Sequence, residues 1–572
     1  MGAGSDQRRR ALVSRAPVGL AAAGPMSALA AFFDSYYRLR PVNATFTGVH
    51  EFDDRFPDWS PGGLERAADE MRRLRGALPH ADAPPADLGD VRARDEALAA
   101  AFLDVQLAEL EGRHFQRGNP SLAIGEAAFG IVALITRRFA PAPQRAAAVA
   151  ARLDAMPAFL DGARASIGCA IPEEWRRKAL KECDGTERLI AGGLPQWLAA
   201  ESLDDDGVRA AGTRACAAID TFRRWLADAP LADESSYAAG AEMLDLLLAR
   251  GHWCAADRRE LARAAQEALE HALAELVRRA RAAAPGGWPE VQERLAAHHP
   301  SAVEYLPAFQ RTWDDCRTRA LDARLVTWPD YPIRYVPIPP ETREAAPFLY
   351  YLFYRSPAPF DRLPIHDYVV TPVDERMPAD EQRRRLRAAN CSAIKLNHVV
   401  HHGAIGHHVQ NYYAYAGASE IGRVAAVDCA TRIGMFLGGT MAEGWACYAT
   451  DVMDEIGYLT PDESIAQQHA RARLAARAVV DIGLHERSLS FDGAIAVYRD
   501  RIGMAPDAAR AEACKNSMFP GTALMYWLGT EGLHRLRASR QRVEGSAFDL
   551  QRFHDRVLSF GSIPVPLLER IC

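Results

Sequence analysis

From Ser27 to about Arg324 the apolar positions of this 572-residue chain recur with a helical period. Residues 91–113 set Ala97, Phe102, Val105, Leu107 and Leu110 near that spacing, with charges between them. Residues 257–283 repeat the theme with a charge-laced, solvated face. Pro and Gly clusters at 82–85 and 284–289 punctuate the helices, and no fixed-period repeat emerges. The texture changes at about Leu325. LVTWPDYPIRYVPIPPE (325–341), FLYYLFY (348–354) and DYVVTPVD (367–374) mix β-formers with prolines, which predicts short strands with proline at their edges. Beyond about Asp380 the helical pattern returns and runs nearly to the end. The expectation is a mainly α protein with one small sheet ahead of its functional helices. A chain this long exceeds what one core serves, so two lobes are expected. The texture divides them into a helical lobe over 26–324 and a second lobe over 325–572, preceded by a disordered extension at 1–25.

Composition mostly excludes. Hydrophobic residues at 49% and charged residues at 25% are ordinary for a soluble globular chain. A net charge of −6 gives no reason to expect a nucleic-acid partner. No apolar run reaches eighteen residues, so no membrane span is expected. Ten cysteines run from Cys169 to Cys572 without a C-x-x-C pair, which argues against a disulfide framework or a thiolate zinc site. Reduced cysteines in the cytoplasm fit that pattern. Arg8–Arg10 and the following ALVSRAPVGLAAAG have some look of an export signal, but Arg15 and Pro17 interrupt it and no cleavage site follows. Export is therefore the minority reading, and Met26 is an alternative start. Arginine outnumbers lysine by 64 to 4, so each lysine is worth locating; Lys395 and Lys515 fall where the chemistry concentrates.

Five of seventeen histidines, His398, His401, His402, His407 and His408, lie in NHVVHHGAIGHH (397–408). Glu443 follows in GGTMAEGWACYA, on another helical pattern. Imidazoles from one helix and a carboxylate from a later one assemble a three-ligand catalytic metal site with one position left open. Spacing is the obstacle. Ligands at i and i+4 stand about 40° apart on a helix, whereas His401 and His407, six apart, would stand about 240° apart. His401 and His408 would share a face but lie about 10 Å apart along the axis. A common site requires the helix to break, and Gly403 and Gly406 are the residues that would permit it. On spacing alone, surface histidines on a frayed helix compete evenly with a metal site.

HHGAIGHHVQ resembles the H-E-x-x-P-G-H-x-x-Q signature of a bacterial family of gluzincin-like metallopeptidases, catalogued as domain of unknown function 885, and EGWACYA is similar to its E-G-W-A-x-Y block. PVNATFTGVHEFD (41–53) resembles its P-x-x-A-T-x-x-G-x-H-x-x-D opening, and VVDIGLH, ending at His485, its V-D-x-G-x-H segment. EACKNSMFPGTALMYWLG (512–529) resembles its E-x-x-R-Y-x-x-x-P-G-Q-A-x-x-Y-x-x-G block. The resemblance implies a gluzincin-like fold and makes His401, His407 and Glu443 the ligands of one transition metal, zinc first and iron second. It sets Asp481, His485, His408 and Tyr526 beside the site, as substrate contacts or supports. A buried Asp481–His485 pair that serves packing alone is the equal alternative.

Four departures fall on the chemistry. The family's glutamate after the first histidine is His402 here, its proline is Ile405, its R-Y pair is Lys515 and Asn516, and its glutamine is Thr522. That glutamate takes a proton from the attacking water and passes it to the leaving amine; an imidazole near neutral pH does comparable work with different reach and charge. Loss of the tyrosine at Asn516 removes a donor to the developing oxyanion, worth on the order of 10²–10³ in rate. The candidate catalytic residues are thus His402, His485 and Lys515. The first expectation is a divergent metal-dependent hydrolase of amide bonds in a small or unusual substrate, such as a short peptide. The alternatives are a metalloenzyme of another type (lyase, cyclase or non-haem iron oxygenase) in secondary metabolism, and a silent homologue that binds a peptide or partner. Oligomeric state is not legible in the sequence.

Overall fold

The computed structural model describes residues 27–79, 88–168, 170–348, 357–361, 365–374, 376–427 and 431–572. The expected extension at 1–25, the Pro cluster at 82–85 and most of the FLYYLFY run lie outside them. Where the periodicity is clearest, capping chemistry sets the ends. Helix Val91–Glu111 begins at Asp90, whose carboxylate accepts the Ala93 N–H, and it buries Ala97, Phe102, Val105 and Leu110. Helix Arg258–Ala283 opens on a capping box between Asp257 and Glu260, and the next helix, Trp288–Ala297, starts with proline in its first turn.

Two hydrophobic cores organise these helices. One joins Ile124, Leu153, Trp175 and Ile219 to Ala476, Val480, Leu484 and Leu528. The other joins Phe32, Tyr36, Phe102 and Phe309 to Val399, Val400, Val409, Trp445 and Ile563. Each core draws on chain from both sides of residue 325. Helix Gly439–Glu455, which carries Glu443, runs along their seam: Trp445, Tyr448 and Val452 enter the second core and Cys447 the first.

The described residues are mainly helical, with one small parallel sheet of two strands, β1 (Ile333–Pro337) and β2 (His366–Val370), in register from Ile333 opposite His366 to Pro337 opposite Val370. Both strands alternate. Ile333, Tyr335, His366, Tyr368 and Val370 are buried, while Arg334 and Asp367 pair across the outer face. Two strands alone are marginal, and these are held by what they brace. The Tyr368 hydroxyl meets His398 Nδ1 at 2.7 Å, and the Tyr335 hydroxyl reaches the His398 carbonyl at 3.5 Å. The sheet therefore buttresses the histidine-rich segment from behind.

The 41–53 block is a clasp. Helix Pro41–Thr47 ends at Gly48 with φ +88°, where a Cβ would also lie 2.6 Å from the Asp361 backbone nitrogen. Thr45 donates to Asp53 at 2.6 Å, and the two His50 ring nitrogens stand 2.8 Å from Asp53 and Asp361. Burial lowers the His50 pKa, but these two carboxylates outweigh it and raise it to about 9, so both nitrogens donate.

Candidate metal centre

The helix breaks between the two histidines. Ile394–Gly403 winds wide, with i→i+5 backbone bonding, and ends with the Ala404 N–H on the Val399 carbonyl (2.8 Å) and the Gly406 N–H on the Val400 carbonyl (2.9 Å). Helix His407–Ala416 begins after a three-residue turn. Two indoles hold the break: Trp313 donates to the Gly403 carbonyl at 2.7 Å and Trp445 to the Ile405 carbonyl at 2.9 Å. Gly406 has φ −72°, outside the left-handed region, so room is what demands glycine. A Cβ there would stand 1.9 Å from the His401 carbonyl oxygen. Gly406→Ala is expected to destabilise the fold by about 3 kcal/mol, the upper end of overpacking costs, and to spoil the His401–His407 approach. Denaturant midpoints check it; an unchanged midpoint would show that the turn yields without cost.

The break brings His401, His407 and Glu443 together. His401 Nε2 lies 3.4 Å and His407 Nε2 3.5 Å from the same oxygen, Glu443 Oε2. Charge-assisted hydrogen bonds run to about 2.7–2.9 Å, so these contacts are too long to be good ones. Ligand atoms about 2.0–2.1 Å from one tetrahedral ion stand roughly 3.4 Å from each other. Both imidazole–carboxylate spacings match those of ligands that share one transition metal. Glu443 is positioned by its own helix: Gly444 lets helix Leu524–Glu544 come so close that a Cβ would lie 2.6 Å from the Gly529 backbone, and Tyr526 from that helix donates to Glu443 Oε1 at 3.0 Å. The E-G-W block thus supplies the carboxylate, its helix crossing and, through Trp445, the tie to the histidine turn. Burial raises the Glu443 pKa, but the His407 and His401 imidazoles override it and hold the carboxyl well below its usual range. Burial lowers that of His401. An ionised carboxylate beside a neutral imidazole is the state in which such groups ligate.

His402 stands beside the trio. Its Nδ1 donates to the Asn397 carbonyl at 2.7 Å, which puts the ring lone pair on Nε2. Its ring centroid is 4.7 Å from His401 and 5.4 Å from His407, and one nitrogen from each of the three rings lies within 4.8 Å of the others. Burial, then the neighbouring imidazoles, push its pKa well down, so the ring is neutral. The space these residues line is a cavity of about 800 Å³ at the seam of the two cores, which Lys515, Tyr526, Arg473, Arg477 and Cys447 also face.

Residues 41–571 match the family described as bacterial protein of unknown function (DUF885). The chain belongs to that family. No curated protein matches it. Among solved structures, it is similar to a candidate lipoprotein of unknown function from Shewanella oneidensis, at 20% identity and TM-score 0.74 over 96% of this chain and 100% of that one. A candidate lipoprotein from Colwellia psychrerythraea aligns at 18% identity and TM-score 0.73 over 96% and 98%. At such identity the likeness establishes the fold.

Other residues singled out in this DUF885 chain sit elsewhere. His408 is fully buried, stacked on Tyr331 and donating to the Tyr331 carbonyl at 2.8 Å. His485 accepts the Ala239 N–H on Nδ1 (3.1 Å) and donates to the Asn516 carbonyl through Nε2 (3.0 Å); burial lowers its pKa to about 4. Asp481 accepts the N–H groups of Gly521, Ala523 and Leu524 at 2.8–3.0 Å, capping the helix that carries Tyr526. Burial raises its pKa to about 7 in spite of them. Neither Asp481 nor His485 lines the cavity. The Asn516 amide bonds the Tyr498 hydroxyl and the Thr522 hydroxyl the Phe519 carbonyl. Sequence reasoning missed Arg473 and Arg477. The signal was present: residues 473, 477, 481 and 485 form one i+4 row of ionisable side chains on helix Pro461–Glu486. Its first half faces the cavity and its second half runs under the neighbouring helix. Among the described residues no helix is long and apolar enough to cross a membrane.

Proposed function

We propose that this chain is a metal-dependent hydrolase of amide bonds in a small substrate with an anionic group, using a transition metal (zinc, or iron) held by His401, His407 and Glu443. The observation that carries this is the spacing of two imidazole nitrogens around one carboxylate oxygen, 3.4 and 3.5 Å, on the wall of a cavity large enough for a small ligand. When bound, the ion would supply Lewis acidity toward an amide carbonyl and toward water. The chain's own residues do the rest. Tyr526 fixes the rotamer of Glu443 through its hydroxyl. His402 offers Nε2 as the proton acceptor in place of the family's glutamate. Arg477 is neutralised by Glu512 at 2.6 Å, whereas Arg473 has no hydrogen-bond or ion-pair partner among the described residues. Arg473 gives the cavity wall a positive group suited to a substrate carboxylate. A gluzincin relationship is supported by the same ligand pattern, two histidines from one segment and a glutamate from the next long helix.

The test uses metal-loaded protein and a panel of N-acyl amino acids with their C-terminal carboxamides. Acids should be cleaved in preference to carboxamides, and ordinary peptides and aminopeptidase substrates should be turned over little. Arg473→Ala should raise KM for the acids about 10–100-fold with kcat nearly unchanged, the worth of one charged hydrogen bond. Equal turnover of acids and carboxamides, or brisk hydrolysis of ordinary peptides, would refute the proposal. His402 favours one second reading, a metalloenzyme of another reaction type: two imidazoles and a carboxylate also form the facial triad of non-haem iron sites, and here an imidazole replaces the hydrolytic base.

A further inference from the structure

A second cavity, of about 440 Å³, lies between N-terminal helices and chain from the C-terminal half, and shares no lining residue with the first. Its wall is partly apolar, with Phe56, Trp59, Phe129, Met435 and Met518. Its polar atoms are lopsided. Three buried oxygens among its lining residues have no hydrogen-bond partner among the described residues: Gln116 Oε1, Ser121 Oγ and Glu182 Oε2. Ser121 and Glu182 are themselves buried, 6% and 4% exposed. Glu126 faces the same space on the i, i+3, i+4, i+7 row Leu122, Gly125, Glu126 and Phe129 of helix Pro120–Ile135, and forms no ion pair among the described residues.

Four of the five cations around it are already paired: Arg38 with Glu70, Arg66 with Asp58, Lys178 with Glu182 and Arg432 with Glu109. Arg40 hydrogen-bonds the neutral Gln106 and acts on Glu126 only at range. Glu126 is half-buried, and a carboxylate there without a directly paired counter-ion is disfavoured in its charged form. Burial accordingly pushes the Glu126 pKa up to about 7, with Arg152 and Arg40 opposing it only at range. What Glu126 lacks, among the described residues, is a directly bonded donor.

We propose that this cavity is a binding site for a small organic ammonium ion, its charged head on Glu126 beside Gln116 and Ser121 and its body among Phe56, Trp59 and Phe129. The aromatic wall adds attraction for the same charge. The volume lies within the range of small-molecule sites. Nothing in this assignment depends on the metal.

Calorimetry on the full chain tests it with two probes of one shape, phenethylammonium and neutral 2-phenylethanol. The ammonium should bind wild-type protein at least 10-fold more tightly than the alcohol, and Glu126→Gln should remove that advantage. His401→Ala should leave ammonium binding unchanged even if it abolishes every activity of the metal cavity. Equal affinities for the two probes in wild-type protein, or no binding at millimolar concentration, would overturn the proposal whether or not the variant folds. Undiminished selectivity in Glu126→Gln would do the same, and loss of ammonium binding in His401→Ala would move the amine to the metal cavity.

Discussion

Purified without chelator and offered zinc, iron and manganese, the protein is expected to bind about one transition metal per chain, and His401→Ala, His407→Ala and Glu443→Ala are each expected to abolish it. The three donors do not act independently. The carboxylate is shared between two imidazoles at 3.4 and 3.5 Å, so removing any one leaves only two donors, too few for a stable site. Glu443→Ala has a further effect, because it strips the Tyr526 hydroxyl of its acceptor inside the cavity. His398→Ala is the internal control. His398 is close in sequence and lines the cavity, but its Nδ1 is engaged by the Tyr368 hydroxyl, and metal occupancy should survive its loss. Elemental analysis reads the result directly. Metal binding should also raise the thermal midpoint of wild-type protein and not of the three ligand variants, since an ion that binds only the folded state stabilises it by mass action. A wild-type chain that stays metal-free under these conditions would end both enzymatic readings and leave a peptide-binding homologue.

The helical stretches, the small sheet before the histidine segment and the family itself were legible because each rests on local pattern: period, capping residues, proline at strand ends, and short motifs. The need for a break between His401 and His407 was also legible, from helix geometry alone. Its mechanism was not. Glycine at 406 is required by a backbone contact from five residues earlier, and the Trp313 and Trp445 indoles that hold the turn come from distant chain. Asp481 and His485 show the same limit from the other side. Their i+4 spacing and family motif suggest chemistry, yet three backbone N–H donors and a second helix determine that Asp481 is a cap. Arg473 and Arg477 carry no local mark beyond their place in that row, because whether a helix stripe faces solvent, core or cavity is decided by what packs against it. The two cores were equally illegible: each is built from helices more than three hundred residues apart.

His402→Glu is expected to cut activity on the N-acyl amino acids by about 10²-fold or more, the usual worth of a positioned proton acceptor, while leaving the metal in place. Position 402 is built for an imidazole. Its Nδ1–H satisfies the Asn397 carbonyl at 2.7 Å, and a carboxylate has no proton to offer that oxygen. A glutamate would be repelled from Asn397 toward the His401 and His407 nitrogens, where it competes for the ion rather than awaiting a proton. Restoring the family's residue therefore should not restore peptide hydrolysis. Adding Asn516→Tyr should not help either: Asn516 is 2% exposed, its amide lies on the Tyr498 hydroxyl, and its carbonyl holds His485, so a tyrosine ring would overpack the site. Parallel kcat/KM and metal measurements on the single and double variants separate the cases. Wild-type turnover in His402→Glu would remove this histidine from the chemistry. Peptide hydrolysis in the double variant alone would mean that the chain is a lapsed peptidase whose second donor position still opens toward the metal.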